Sequence, residues 1–277
     1  MARLGFVSHR TGRPEVWCEL RASGELQKLT DQPDIGEWSV HPSHDGRFVY
    51  YTAGQGAWRV TTDTGKSECL LDFGGLAGRE VGMVGAAMGT SSLSHDDRFW
   101  ALPVRLGGKY HLISLDTTTW TQETILEAET IGHPEFHPSD SSLVRYAGSH
   151  ERRIWVINRD STGNRLVYER KPLAKPGQYE WIVHETWRPG SREIITANWR
   201  RGCSGIDIDS GAVRPVCSFN AWHPSISRQG SLMCARTRPS PTSACSSSTR
   251  ATVLGSPGRC ASRKPRTRAS TGTPTTV

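Results

Sequence analysis

Two histidines carry the residue types and spacing that could do chemistry. His133 heads the run HPEFHPSDSSLVRYAG, and His184, 51 residues on, heads HETWRPGSREIITANW. An imidazole titrates near neutrality, so it can take a proton from carbon or oxygen, and in its neutral form it ligates metals. His95, His111, His137, His150 and His223 are further candidates. A histidine standing alone is ordinarily a surface or hydrogen-bonded residue. His41, His44 and His137 sit in Ser/Asp/Pro-rich turn sequence and are assigned no chemistry. There is no glycine-rich phosphate loop, no nucleophile elbow and no Ser–His–Asp order. Asp-Gly pairs such as Asp45-Gly46 have the composition of turns.

The elements that must position these histidines form an internal repeat. WSVHPSHDGRFVYYT (38–52), SSLSHDDRFWALPV (91–104), HPEFHPSDSSLVRYAG (133–148), HETWRPGSREIITANW (184–199) and AWHPSISRQGSLMCA (221–235) share one plan. Each is a strand, a polar turn and an apolar strand. Alternating with them are VWCELRASGELQKLT (16–30), AWRVTTDTGKSECLL (57–71), YHLISLDTTTWTQETIL (110–126), IWVINRDSTGNRLVY (154–168) and GIDIDSGAVRPVC (205–217), each a second hairpin. Two hairpins per unit, recurring at 40–51 residues, give four-stranded antiparallel blades. The expected fold is all-β, an incomplete β-propeller of about five blades over residues 1–235. His133 and His184 begin equivalent strands of successive blades, so both face the central channel. Five blades and the stub LGFVSHR leave a ring with open strand edges.

The formal net charge is +7, yet residues 235–277 hold eight basic residues and no acid, so subtracting them leaves −1 for 1–234. A basic surface for nucleic acid is therefore not expected on the body. Residues 236–277 are rich in Ser, Thr, Arg and Pro and lack aromatics, the composition of a disordered tail. The abrupt end of the repeat after SLMCA makes an out-of-frame translation the expected origin of that tail. Of seven cysteines, Cys18, Cys69, Cys203, Cys217 and Cys234 lie in the body, irregularly spaced, with no C-x-x-C pair. Scattered thiols and an N-terminus without an apolar stretch give a cytoplasmic expectation, with no membrane partner.

The runs IGHPEFHPSDSSLVRYAGSHE, RIWVINRDSTGNRLVYE and VHETWRPGSREIITANW resemble the oligogalacturonate lyases, seven-bladed propellers with TolB-like repeats. That resemblance implies β-elimination on a short oligogalacturonide substrate in pectin breakdown. By it, His133 matches the catalytic base, and His184 a ligand of a divalent metal, manganese in type. The family completes its metal site with a Gln and two His from a late blade, for which residues 200–277 offer no motif match. It also offsets substrate charge with an arginine, where this chain has Lys109 and His111 as substrate-binding candidates. The resemblance thus predicts a lyase site that is incomplete in this chain. The alternative is a non-catalytic TolB-like propeller that binds protein or glycan on its channel face.

Overall fold

The computed structural model describes residues 3–74, 81–84, 90–237, 249–253 and 260–261. Every regular element among them is a strand, and the strands form six antiparallel sheets in chain order. The first holds β1 (Arg3–Ser8), β2 (Glu15–Leu20) and β3 (Glu25–Lys28). The second holds β4 (His41–Pro42), β5 (Phe48–Ala53), β6 (Gly56–Thr61) and β7 (Ser67–Asp72). In the third, β8 (Val81–Val84) and β9 (Ser92–Leu93) both pair with β10 (Phe99–Leu106), followed by β11 (Lys109–Asp116) and β12 (Gln122–Ala128).

The fourth and fifth sheets are four-strand meanders. They comprise β13 (Gly132–His137), β14 (Asp140–Ala147), β15 (Ile154–Asn158) and β16 (Arg165–Tyr168), then β17 (Ile182–Trp187), β18 (Glu193–Asn198), β19 (Gly202–Asp207) and β20 (Val213–Cys217). The sixth contains β21 (Ala221–Ile226), β22 (Leu232–Thr237), β23 (Thr249–Val253) and β24 (Cys260–Ala261). The stub LGFVSHR thus becomes β1, paired with β2 from Arg3↔Leu20 to Ser8↔Glu15. Of the expected tail, Arg236 and Thr237 complete β22, and β23 and β24 pair beyond it. The remainder of the tail lies outside the described residues.

The turns explain why the repeat folds this way. Ser43 Oγ accepts from the Phe48 amide at 2.9 Å and donates to Asp45 Oδ1 at 2.7 Å. Ser94 does the same for Phe99, and Ser227 caps Leu232 at 3.0 Å. Gly46 closes its turn at φ 73°, which glycine adopts without a Cβ penalty.

Each neighbouring pair of sheets encloses its own core. Val16, Leu29, Val49 and Tyr51 pack between the first two sheets, and Tyr50, Phe73, Trp100 and Leu102 between the second and third. Phe99, Leu112, Phe136 and Val144 follow, then Leu143, Ile154, Trp187 and Ile194, then Ile195, Cys203, Ala221 and Met233. Burial on both faces is why β10 reads as a near-continuous apolar run. The row of sheets curves until Arg228, in the β21–β22 turn, lines a cleft of about 490 Å³ with Arg3 and Gly5 of β1. This is an incomplete β-propeller, as the repeat predicts. Its first sheet, among the described residues, lacks the innermost strand that the others have.

Candidate active site on three bulged strands

The innermost strands of the last three sheets share a distortion. On β13, Gly132 pairs with Ala147 and Glu135 with Arg145, so three steps on one strand answer two on the other. On β17, Val183↔Ala197 is followed by Thr186↔Ile195, and on β21, Trp222↔Arg236 by Ser225↔Cys234. In each bulge the first residue is a histidine with positive φ: His133 at 46°, His184 at 55° and His223 at 51°. The other five non-glycine residues with positive φ among those described lie in connections, not strands. The left-handed conformation costs an ordinary L-residue about 1 kcal/mol or more. A bulge re-aims a side chain, and here it does so three times on imidazoles.

Two of the three rings stand against each other, with His133 within electrostatic reach of both. His184 and His223 have ring centroids 3.9 Å apart, and the charges of His133 and His223 both act on His184. His223 is the residue the resemblance did not pick out. Its signal was present, since His223-Pro224 repeats the His133-Pro134 dipeptide at the head of the following repeat.

Around the histidines stands an ion network supplied by β13, β17 and their neighbours. Arg145 on β14 is buried and donates through Nε to Glu135 Oε2 at 2.7 Å and through Nη1 to the His133 carbonyl at 3.0 Å. Its Nη2 donates to the carbonyl of Glu185, tying the fourth sheet to the fifth. Arg153 donates to Glu185 Oε1 at 2.7 Å, and the Glu185 side chain is 1% exposed. Thr186 Oγ1 reaches Glu135 Oε1 at 3.2 Å, and Trp187 Nε1 donates to the Glu135 carbonyl at 3.1 Å.

This environment sets the protonation states. Burial first, then the charge of Arg153, with Arg145 and His223 adding to it, holds His133 below the usual histidine range; Glu185 opposes them. Burial and the neighbouring His223 push His184 down to about 4. Burial works to raise the Glu185 carboxyl, but Arg153 and Arg145 bring it below the usual carboxylate range. His133 and His184 are therefore neutral at pH 7 and Glu185 ionised.

Lys109 and His111 each meet Glu127. Both lie on β11, where Lys109 Nζ meets Glu127 Oε1 at 2.8 Å, and His111 Nε2 lies 3.8 Å from the other oxygen of the same carboxylate. The guanidinium charges that bear on His133 are those of Arg153 and Arg145. Among the other candidates, His95 meets Ser141 on its Nδ1, and His137 holds the Ser191 carbonyl at 3.0 Å.

His184 Nε2 is buried without a hydrogen-bond partner and stands beside the His223 ring, a donor such as a metal would take. Yet among the described residues no three His, Cys, Asp or Glu groups stand where they could hold an ion together. Two imidazoles do not hold a divalent metal usefully, so the described residues do not fit a metal site.

No family model matches the sequence, and no curated protein matches it. Solved structures do. An oligogalacturonate lyase in complex with manganese superposes with a TM-score of 0.73 at 18% identity, over 90% of this chain and 70% of that one. The oligogalacturonate lyase of Vibrio parahaemolyticus gives 0.67 at 18%, over 84% and 67%. TolB from Acinetobacter baumannii gives 0.58 at 13%, over 90% and 60%. At these identities the likeness is one of fold: the chain is a β-propeller built like the oligogalacturonate lyases and TolB.

Proposed function

We propose that this chain carries a lyase site for β-elimination on short galacturonides, with His133 as the base. The observation that carries the reading is the same bulge repeated at His133, His184 and His223, with Arg145 on the His133 carbonyl and Arg153 on the Glu185 carboxylate. In the reaction the C5–H bond breaks and its proton passes to the neutral His133 imidazole. The electron pair forms the C4=C5 double bond, the C4–O4 bond breaks, and the departing oxygen takes a proton. A C5 proton is weakly acidic, so charge developing on the uronate carboxylate needs a nearby cation. Arg153, whose side chain is 19% exposed, is the cation this chain offers.

His133→Ala should lower the rise of unsaturated-uronate absorbance by at least about 100-fold, the usual contribution of a positioned general base. His184→Ala should lower it as well, whether or not manganese is added. Full activity in both variants rejects the site. The second reading, a non-catalytic TolB-like propeller binding protein or glycan, draws on the absence of a three-donor cluster among the described residues. It gains if the wild-type chain binds galacturonides and releases no unsaturated product with or without metal.

A further inference from the structure

A strip of aromatic rings runs outward from the histidines to the rim of the fifth sheet. Trp222 lies 4.3 Å from the His184 ring, Trp199 lies 4.6 Å from Trp222, and Trp181 lies 6.1 Å from Trp199, all by centroid and all edge to face. At the outer end Trp181 is 47% exposed and His150 packs against its edge at 5.8 Å. Leaving half an indole in water forgoes hydrophobic stabilisation, yet the fold holds this one firmly. The carboxylate of Glu180 accepts from the Lys171 amide at 3.0 Å and from Asn198 Nδ2 at 2.9 Å, fixing the residue before Trp181. The Trp199 amide donates to the Trp181 carbonyl at 2.9 Å, so the two loops move as one.

The next two residues after Trp199 are Arg200 and Arg201, both exposed, in the β18–β19 turn. Neither guanidinium has a carboxylate partner among the described residues, where most other arginines of this face do. An indole face suits the apolar C–H face of a pyranose ring, and a guanidinium fork matches a carboxylate in a bidentate pair.

We propose that Trp181 and Trp199, with Arg200 and Arg201, form a separate subsite for the distal residues of an acidic oligosaccharide whose reacting end lies at the histidines. This rests on the galacturonide reading of the histidine site. Single-stranded nucleic acid also stacks on aromatics and pairs with arginine. Three features favour the sugar: edge-to-face packing leaves no slot between rings for a flat base, the strip ends at a uronate-type site, and the body carries a net charge near zero.

Calorimetric titration of the full chain with trigalacturonate, digalacturonate, cellotriose and oligothymidylate separates these readings. Trigalacturonate should bind at least tenfold more tightly than digalacturonate, and cellotriose should bind at least tenfold more weakly than trigalacturonate. Trp181→Ala should cost at least tenfold on trigalacturonate and less than twofold on digalacturonate, with Trp181→Phe restoring most of it. Arg200→Ala combined with Arg201→Ala should abolish the preference over cellotriose. Equal binding by wild type and Trp181→Ala, equal binding of cellotriose, or tighter binding of oligothymidylate each overturn the subsite. Because binding is read without turnover, a chain that binds trigalacturonate through Trp181 but releases no product keeps the subsite and loses the lyase reading. A chain that turns over digalacturonate while Trp181→Ala changes nothing does the reverse.

Discussion

The second and fourth sheets begin with the same dipeptide, His-Pro, and do opposite things with it. On β4 the strand has only two residues, no bulge, and a histidine outside the positive-φ region. His41 Nε2 is spent on Ser91 Oγ at 2.9 Å, a hydroxyl that also accepts from Trp100 Nε1. On β13 the strand has six residues and a bulge, and His133 keeps its ring among charged groups. Both imidazoles are held neutral, His41 down to about 4 by burial. Neutrality is therefore no mark of function in this fold. What separates the two is the bulge, which spends backbone strain to present a ring that packing would otherwise absorb.

Deleting each ring in turn separates the two histidines. His133→Gly should cut turnover of digalacturonate by at least about 100-fold. It should leave stability unchanged or raised by up to about 1 kcal/mol, because glycine relieves the left-handed strain. His41→Ala should leave turnover within about twofold and lower the thermal midpoint through the lost bond to Ser91 and the cavity left by a buried ring. Equal losses of activity in both variants would dissolve the distinction. Next in size, Glu185→Ala strands Arg153 and should cost about 3 kcal/mol in urea unfolding, as breaking a buried pair does.

The pH dependence is shared by the two regions and so sharpens what is not shared. His41 and His184 titrate lower in the folded chain than in the unfolded one, at about 4 against 6.5. Below pH 6.5 the unfolded chain takes protons that the folded chain refuses, so stability is full above that value and falls from it toward pH 4. Replacing either histidine with Asn should flatten this acid limb in a urea series. Only the His184 change should also weaken turnover. The smallest effect belongs to Lys109→Ala: with its ammonium already on Glu127, turnover and KM should stay within about twofold.

Much of this fold is legible in the sequence because its turns are written in side chains. Ser43, Asp45 and Gly46 close a hairpin through bonds that any Ser-x-Asp-Gly of that spacing can make. The apolar run at β10 likewise announces a strand buried on both faces. The site was legible only in part. His133 and His184 stand out by resemblance, but nothing in the letters marks a positive φ at histidine, so the three bulges are invisible before the register is known. His223 is hidden further by the weak repeat around it. Arg145 and Arg153 read as ordinary strand-edge arginines until the fifth sheet brings Glu185 to them. Cys203 and Cys217, irregular in spacing, prove to be direct cross-strand neighbours. Long-range pairing sets each of these, and local propensity carries no record of it.

Arg145 has one more consequence. Its two ends grip the His133 carbonyl on one sheet and the Glu185 carbonyl on the next, so it acts as a ruler between the base and the residue beside His184. The spacing of those two imidazoles is then a local property of two adjacent blades. It does not depend on how many blades complete the circle.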